Sequence, residues 1–168
     1  TTLAAFLETV SVRKITISQQ TKACEIFLAC PQLPEPELYL QCLQFFTQNM
    51  TQASGVRLIV QPLKPMSVED FLEQHFALFI AILQQHHPTI AGWLYNSHWQ
   101  RQDDILIIFI GQEIGVRFLH NIHFTLQASV LLDEMMQEKL MVQLQWDKEI
   151  PLPEFKPKAA PAYVAPAA

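Results

Sequence analysis

The sequence is short of charge, of glycine and of cysteine, and each shortage excludes something. Only 16% of its 168 residues are charged while half are apolar, a balance that supplies a core and is incompatible with wholesale disorder. That length allows one ordinary domain or two small ones. With four glycines, it has no glycine-rich phosphate loop. Cys24, Cys30 and Cys42 are odd in number and form no Cys-x-x-Cys pair. Buried reduced thiols are the simpler reading and a structural disulfide the other; a reducing cytoplasm is the expected compartment. The longest apolar runs, Phe76 to Leu83 and Ile105 to Ile110, fall well short of the ~20 residues of a membrane-spanning helix. The N-terminus has no basic region followed by an apolar run and a small-residue cleavage site. A chain that starts without Met and stops inside a Pro/Ala run is expected to be an excised piece of a longer protein.

Charge is uneven along the chain. Residues 1–65 carry five Lys/Arg (Arg13, Lys14, Lys22, Arg57, Lys64) against four acids, whereas residues 66–147 carry three against ten, about −7. Phosphate backbones require clustered cations, so the second half argues against a duplex-binding surface and the first leaves the question open.

Hydropathy patterning divides the chain into elements. Leu3 to Glu8 reads as a short helix. Val10 to Ser18 alternates as a strand with a slip or bulge at Arg13-Lys14. Ala23 to Cys30 is a second strand, expected to pair with the first as an antiparallel hairpin. Pro31, Pro34 and Pro36 form a corner, with Pro36 in the first turn of a helix whose apolar face carries Leu38, Leu40, Leu43, Phe45, Phe46 and Met50. Val56 to Val60 is a third strand, ended by Pro62 and Pro65. Ser67 caps a helix with acids in its first turn, running through Phe71, Phe76, Phe79 and Leu83. Pro88 begins a shorter helix with Ile90, Trp93 and Leu94. Asn96 to Asp104 reads as a polar loop, Ile105 to Ile110 as a central strand apolar on both faces. Gln112 to about Gln137 reads as one long helix, and Lys139 to Trp146 as a last alternating strand. From Glu149 onward Pro151, Pro153, Pro157, Pro161 and Pro166 mark an extended linker. The expected division is 1–64, 66–147 and a linker at 148–168.

Candidate chemistry is sparse. His120 and His123, three apart on the long helix, could share a metal with His86-His87; an exposed helical face is the simpler reading. Asp103-Asp104 could hold magnesium, but neighbours on a strand point to opposite faces, so a solvated turn is expected. No Gly-x-Ser-x-Gly and no Cys–His pattern is present. No catalytic residue, metal or cofactor is assigned. Trp93, Tyr95 and Trp99 surround the polar loop and are candidate partner anchors, with core packing as the alternative for Trp93. Arg13, Lys14 and Lys22 form the basic cluster, and with Arg57 they are the candidates for weak single-strand contact.

The order of elements, with the Val68-Glu69-Asp70-Phe71 helix start, Pro88-Thr89-Ile90-Ala91-Gly92-Trp93-Leu94, the Ile105–Ile110 strand and Gln112-Glu113-Ile114, resembles the two small N-terminal domains of PolC-type DNA polymerase III over residues 1–155. The second unit is similar to the α-binding C-terminal domain of the clamp-loader τ subunit. The resemblance implies an α+β chain of two small tandem α/β sandwich units of truncated KH-like form. It also implies that an oligonucleotide-binding domain, a 3′–5′ exonuclease and the polymerase module follow the linker. The family's catalytic residues would all lie beyond this chain. A replisome protein, such as τ, is then the expected partner, and an acidic patch on the second unit the expected surface. A nucleic-acid-binding KH module uses a Gly-x-x-Gly loop, and Gly111-x-x-x-Gly115 has the wrong spacing.

Overall fold

The structure is a computed structural model and describes residues 2–85 and 87–152. The first unit runs α1 (Leu3–Thr9), β1 (Ser11–Ile17), β2 (Ala23–Cys30), α2 (Pro36–Asn49), β3 (Gly55–Pro62). The second runs α3 (Val68–Leu83), α4 (Ile90–Trp93), β4 (His98–Gln102), β5 (Ile105–Ile110), α5 (Glu113–Asn121), α6 (Phe124–Met136), β6 (Met141–Trp146). Each unit holds one three-stranded sheet, ordered β1-β2-β3 and β4-β5-β6. In both, the first two strands are antiparallel and the third is parallel to the central one. A parallel pair needs a crossover connection; α2 supplies it in the first unit, α5 and α6 in the second. The chain therefore uses the same hairpin–crossover–strand plan twice, as two small tandem α+β units.

Local sequence explains the first unit. Pro36 opens α2 after the Glu35 cap residue, where a missing N–H costs nothing. The β1–β2 register shifts between Val12 and Lys14, which places the bulge at Arg13. β1 is an edge strand exposed along its whole length, and the bulge and the two cations are devices that keep such an edge from pairing with other chains. One face of this sheet presents Cys24, Ile26, Leu28, Leu58 and Val60, all buried or nearly so, to α2, whose Tyr39 hydroxyl donates to the Leu58 carbonyl at 2.9 Å.

The opposite face meets the second unit. Arg57 donates to both Glu134 carboxylate oxygens at 2.8 and 2.7 Å and to Glu25 at 3.3 Å. Gln61, 8% exposed, donates to the Glu134 carbonyl and accepts from Arg13 at 3.0 Å. Glu134 lies on α6, whose Ser129 hydroxyl donates to the Leu140 carbonyl at the start of the second sheet. So α6 sits between the two sheets. It buries Phe124, Ala128, Leu131, Leu132 and Met135, each large side chain contributing about 2 kcal/mol. Within the second unit Arg101 on β4 joins separate elements, donating to Glu69 in the first turn of α3 at 2.7 Å and to Glu138 before β6.

Two sequence expectations are corrected. Gln112–Gln137 is not one helix: it breaks at Ile122–His123, where His123 adopts a left-handed backbone (φ 58°), a conformation His takes more readily than most residues. The break lets α5 pack on β5 and β6 while α6 turns to face both sheets. Asn96–Asp104 is not a loop: His98–Gln102 is an edge strand paired with β5, and Asp103-Asp104 is the two-residue turn between them, Asp103 having φ 54°. Its polar composition hid it, because only Trp99 and Arg101 turn inward and the alternate positions meet solvent.

Because Glu134 is mostly buried and bidentate to a partly buried guanidinium, its loss takes from Arg57 its two shortest carboxylate hydrogen bonds. Glu134→Ala is expected to lower unfolding free energy by about 2–3 kcal/mol, and Glu25→Ala by less than about 1 kcal/mol because Glu25 is more exposed. Urea titration followed by circular dichroism measures both; equal losses would contradict the assignment.

Candidate functional site

The four basic residues do not converge on an exposed groove. The bulge turns Arg13 and Lys14 to the same side of the first sheet. There Arg13 bonds Gln61 and the Lys14 ammonium lies 5.6 Å from the centre of the Phe27 ring. Arg57 is bound by Glu134 and Glu25; burial works to lower its pKa, but the hydrogen bonds and charges of Glu134 and Glu25 outweigh it, so that the pKa is raised. Lys22 stands apart in the β1–β2 turn with φ 62°.

The aromatic triplet is split as well. The Trp93 ring packs at 5.5 Å on Phe118 and over Gly115, where a Cβ would lie 2.9 Å from the indole. Gly115 is thus the gap in α5 that the indole fills. Trp99 lies on β4 opposite Ile108 and turns toward the core. Tyr95, 48% exposed, is the one of the three on the surface.

The second sheet presents a different candidate. Its inner face, Leu106, Ile108, Ile110 and Val142, is buried under the helices. On the outer face every residue is exposed or half-exposed. Ile105, Ile107 and Phe109 run down the middle on β5. Gln100 and Gln102 flank them on β4, and Met141, Gln143 and Gln145 on β6. His98 stacks on Phe109 with ring centres 4.6 Å apart and planes 13° apart, and its Nε2 lies 3.0 Å from Asp147 Oδ2 just past β6. The hydrogen bond to His98, with a second from the Glu149 N–H, holds the Asp147 carboxyl below the usual carboxylate range. An open depression of about 400 Å³ borders this end of the face, lined by Phe109, Gln145, Trp146, Asp147, Lys148 and Glu149. Sequence reasoning passed over this surface, although the alternating glutamines on either side of the apolar run carried its signal.

Reactive chemistry is not assembled around these residues. Among the described residues no group of three or more His, Cys, Asp or Glu side chains is placed to hold a metal ion. His123 sits in the break between α5 and α6 and so shares no helical face with His120, while His86 lies outside the described residues. The pair Asp103-Asp104 occupies an exposed turn. All three cysteines are free and buried. Burial pushes the Cys30 thiol up to about 12, with Cys42 nearby adding to the effect, and burial pushes Cys42 up to about 11. These are the opposite of an activated thiolate. No helix among the described residues is long and apolar enough to cross a membrane. Comparison with protein-family models, curated proteins and solved structures found no match.

The thiols make a pH prediction. A group whose pKa is raised on folding contributes its stability below the unfolded-state value and loses it as pH climbs toward the folded one. Stability is therefore expected to be level near neutrality and to fall from about pH 9 upward as unfolded-chain thiols ionise. Urea midpoints at pH 7 and 10 measure the fall, and Cys30→Ala/Cys42→Ala should flatten it; an unchanged slope in that variant would contradict the assignment.

Proposed function

We propose that this chain is a non-catalytic, protein-binding region preceding the catalytic modules of a bacterial replicative DNA polymerase of the PolC type. It would act in replisome assembly during DNA replication, in the cytoplasm. The polymerase setting rests on the resemblance in element order. The parent would be a DNA-directed DNA polymerase, a nucleotidyltransferase with a 3′–5′ exonuclease, and this region would add contacts rather than chemistry. The clamp-loader τ subunit is the first partner to test.

One observation carries the choice of protein over nucleic acid as the partner. Of the four candidate cations, Arg13, Lys14 and Arg57 are engaged in internal contacts on the side of the first sheet that faces α6, and Lys22 stands apart from them in the β1–β2 turn. The broad surface left open, on the second sheet, has glutamines, aliphatics and Phe109 in place of Lys or Arg. Binding that depends on neutralising phosphates needs several exposed cations; an interface with an apolar centre and an uncharged polar margin suits another protein.

The test is a titration of the 168-residue chain with purified τ and, separately, with single-stranded DNA, at about 50 and about 200 mM salt. The reading expects τ to bind with an affinity that changes little between the two salts, and DNA to bind weakly or not at all. Salt-sensitive DNA binding that Arg13→Ala/Lys14→Ala abolishes, without τ binding, would replace it with a strand-holding module.

A further inference from the structure

The geometry points to the outer face of the second sheet as a docking site for an amphipathic α-helix of a partner protein, one with an uncharged apolar stripe and basic flanks. The inference deepens the protein-binding reading above by naming the surface and the chemistry of what it takes.

The chain itself shows what such a face accepts. Both sheets are built alike, with a central strand between an antiparallel and a parallel neighbour. In each, the crossover helix covers one face. On the first sheet α6 of the neighbouring unit lies over the β3 side of the other face. On the second sheet the corresponding face has no helix over it among the described residues, and its apolar line of Ile105, Ile107 and Phe109 stays half-exposed. One repeat of the plan is thus seen with a helix on this face and the other without.

Charge then selects the helix. On the first sheet Arg57 is matched by an acid of the covering helix, Glu134. On the second, the one ionisable side chain on the face, His98, is already paired with Asp147. The strip therefore asks for no formal charge at its centre, and its glutamines offer hydrogen bonds to polar but uncharged neighbours. Acids outnumber cations at both ends, Asp103 and Asp104 at the β4–β5 turn against Lys139 before β6, and Asp147 and Glu149 past β6 against Lys148. Lys or Arg at the helix flanks complement them. The depression beside Phe109, whose lining holds Asp147 and Glu149 against the single cation Lys148, receives one such side chain, its aliphatic stem toward the ring and its charge toward the two carboxylates.

The test uses the full chain, isotope-labelled, and a synthetic helical peptide of about 18 residues with a leucine stripe and lysine flanks. Its control has the same composition reordered so that the leucines share no face. The expected result is amide shifts confined to β4, β5 and β6 with the amphipathic peptide, about tenfold weaker binding by the control, and about tenfold weakening by Ile107→Lys and by Gln143→Lys. Gln143 is exposed, so its variant keeps the fold if Ile107→Lys does not. Ile114→Lys, on the exposed side of α5, should leave binding unchanged. Shifts elsewhere, equal binding of both peptides, or no binding would overturn the inference even if τ binds. Oligothymidylate shifting this face in place of the peptide would overturn it in favour of a nucleic-acid surface. Peptide binding on the face without τ binding would sustain it and refute only the replisome partner.

Discussion

Glu134 reaches across from α6 to grip Arg57 of β3, and the arrangement of the whole molecule depends on that helix being shared. α6 belongs by sequence to the second unit, where it connects β5 to β6. It also packs on β3 of the first sheet, where Glu134 meets Arg57 and Gln61. A helix apolar on two sides is buried on two sides. The bidentate pair adds orientation to that burial more than net energy, since desolvating two charges consumes most of what their attraction returns. What it does fix is which residues of α6 meet which residues of β3.

That shared helix also divides the two sheets by role. The first has α2 on one face and α6 over the β3 side of the other, while β1 stays exposed with the bulge and cations at Arg13-Lys14 guarding that edge. The second keeps one face open. The distribution of charge follows the same division. Arg13, Lys14 and Arg57 of the first unit are spent on internal contacts, while acids in the second surround an uncharged strip. A chain with so few charged residues has placed several of them, Arg57, Glu134, Arg101, Glu69 and Glu138, where they join elements distant in sequence.

Much of the fold was legible in the sequence because its signals are local. Alternation marked β1, β3 and β6, the Arg13-Lys14 slip marked the bulge, Pro36 marked the start of α2, and Ser67 with Glu69 and Asp70 marked that of α3. The failures have a common cause: periodicity reports burial, not hydrogen bonding. β4 pairs along its full length yet buries little, so its Gln and Arg residues read as a loop. The α5–α6 break leaves the apolar spacing almost intact, so one helix was read where His123 makes two. The open face was missed for a related reason. A strand as apolar as Ile105–Ile110 reads as covered on both sides, and only the glutamines on its neighbours, brought beside it by pairing, disclose the side that is not. The ion pair across the units, 77 positions apart in the chain, leaves no mark that a single sequence displays.

If α6 is core to both sheets, the units cannot unfold separately. The molecule carries its own reporters: Trp93, Trp99 and Trp146 all lie in the second unit and Cys24, Cys30 and Cys42 all in the first. Urea unfolding followed at once by tryptophan fluorescence and by thiol labelling tests the claim directly, because coincident transitions by independent probes are the mark of one cooperative unit. The account predicts a single midpoint for both. Thiols that become reactive at urea concentrations where the tryptophan signal is still native would contradict it.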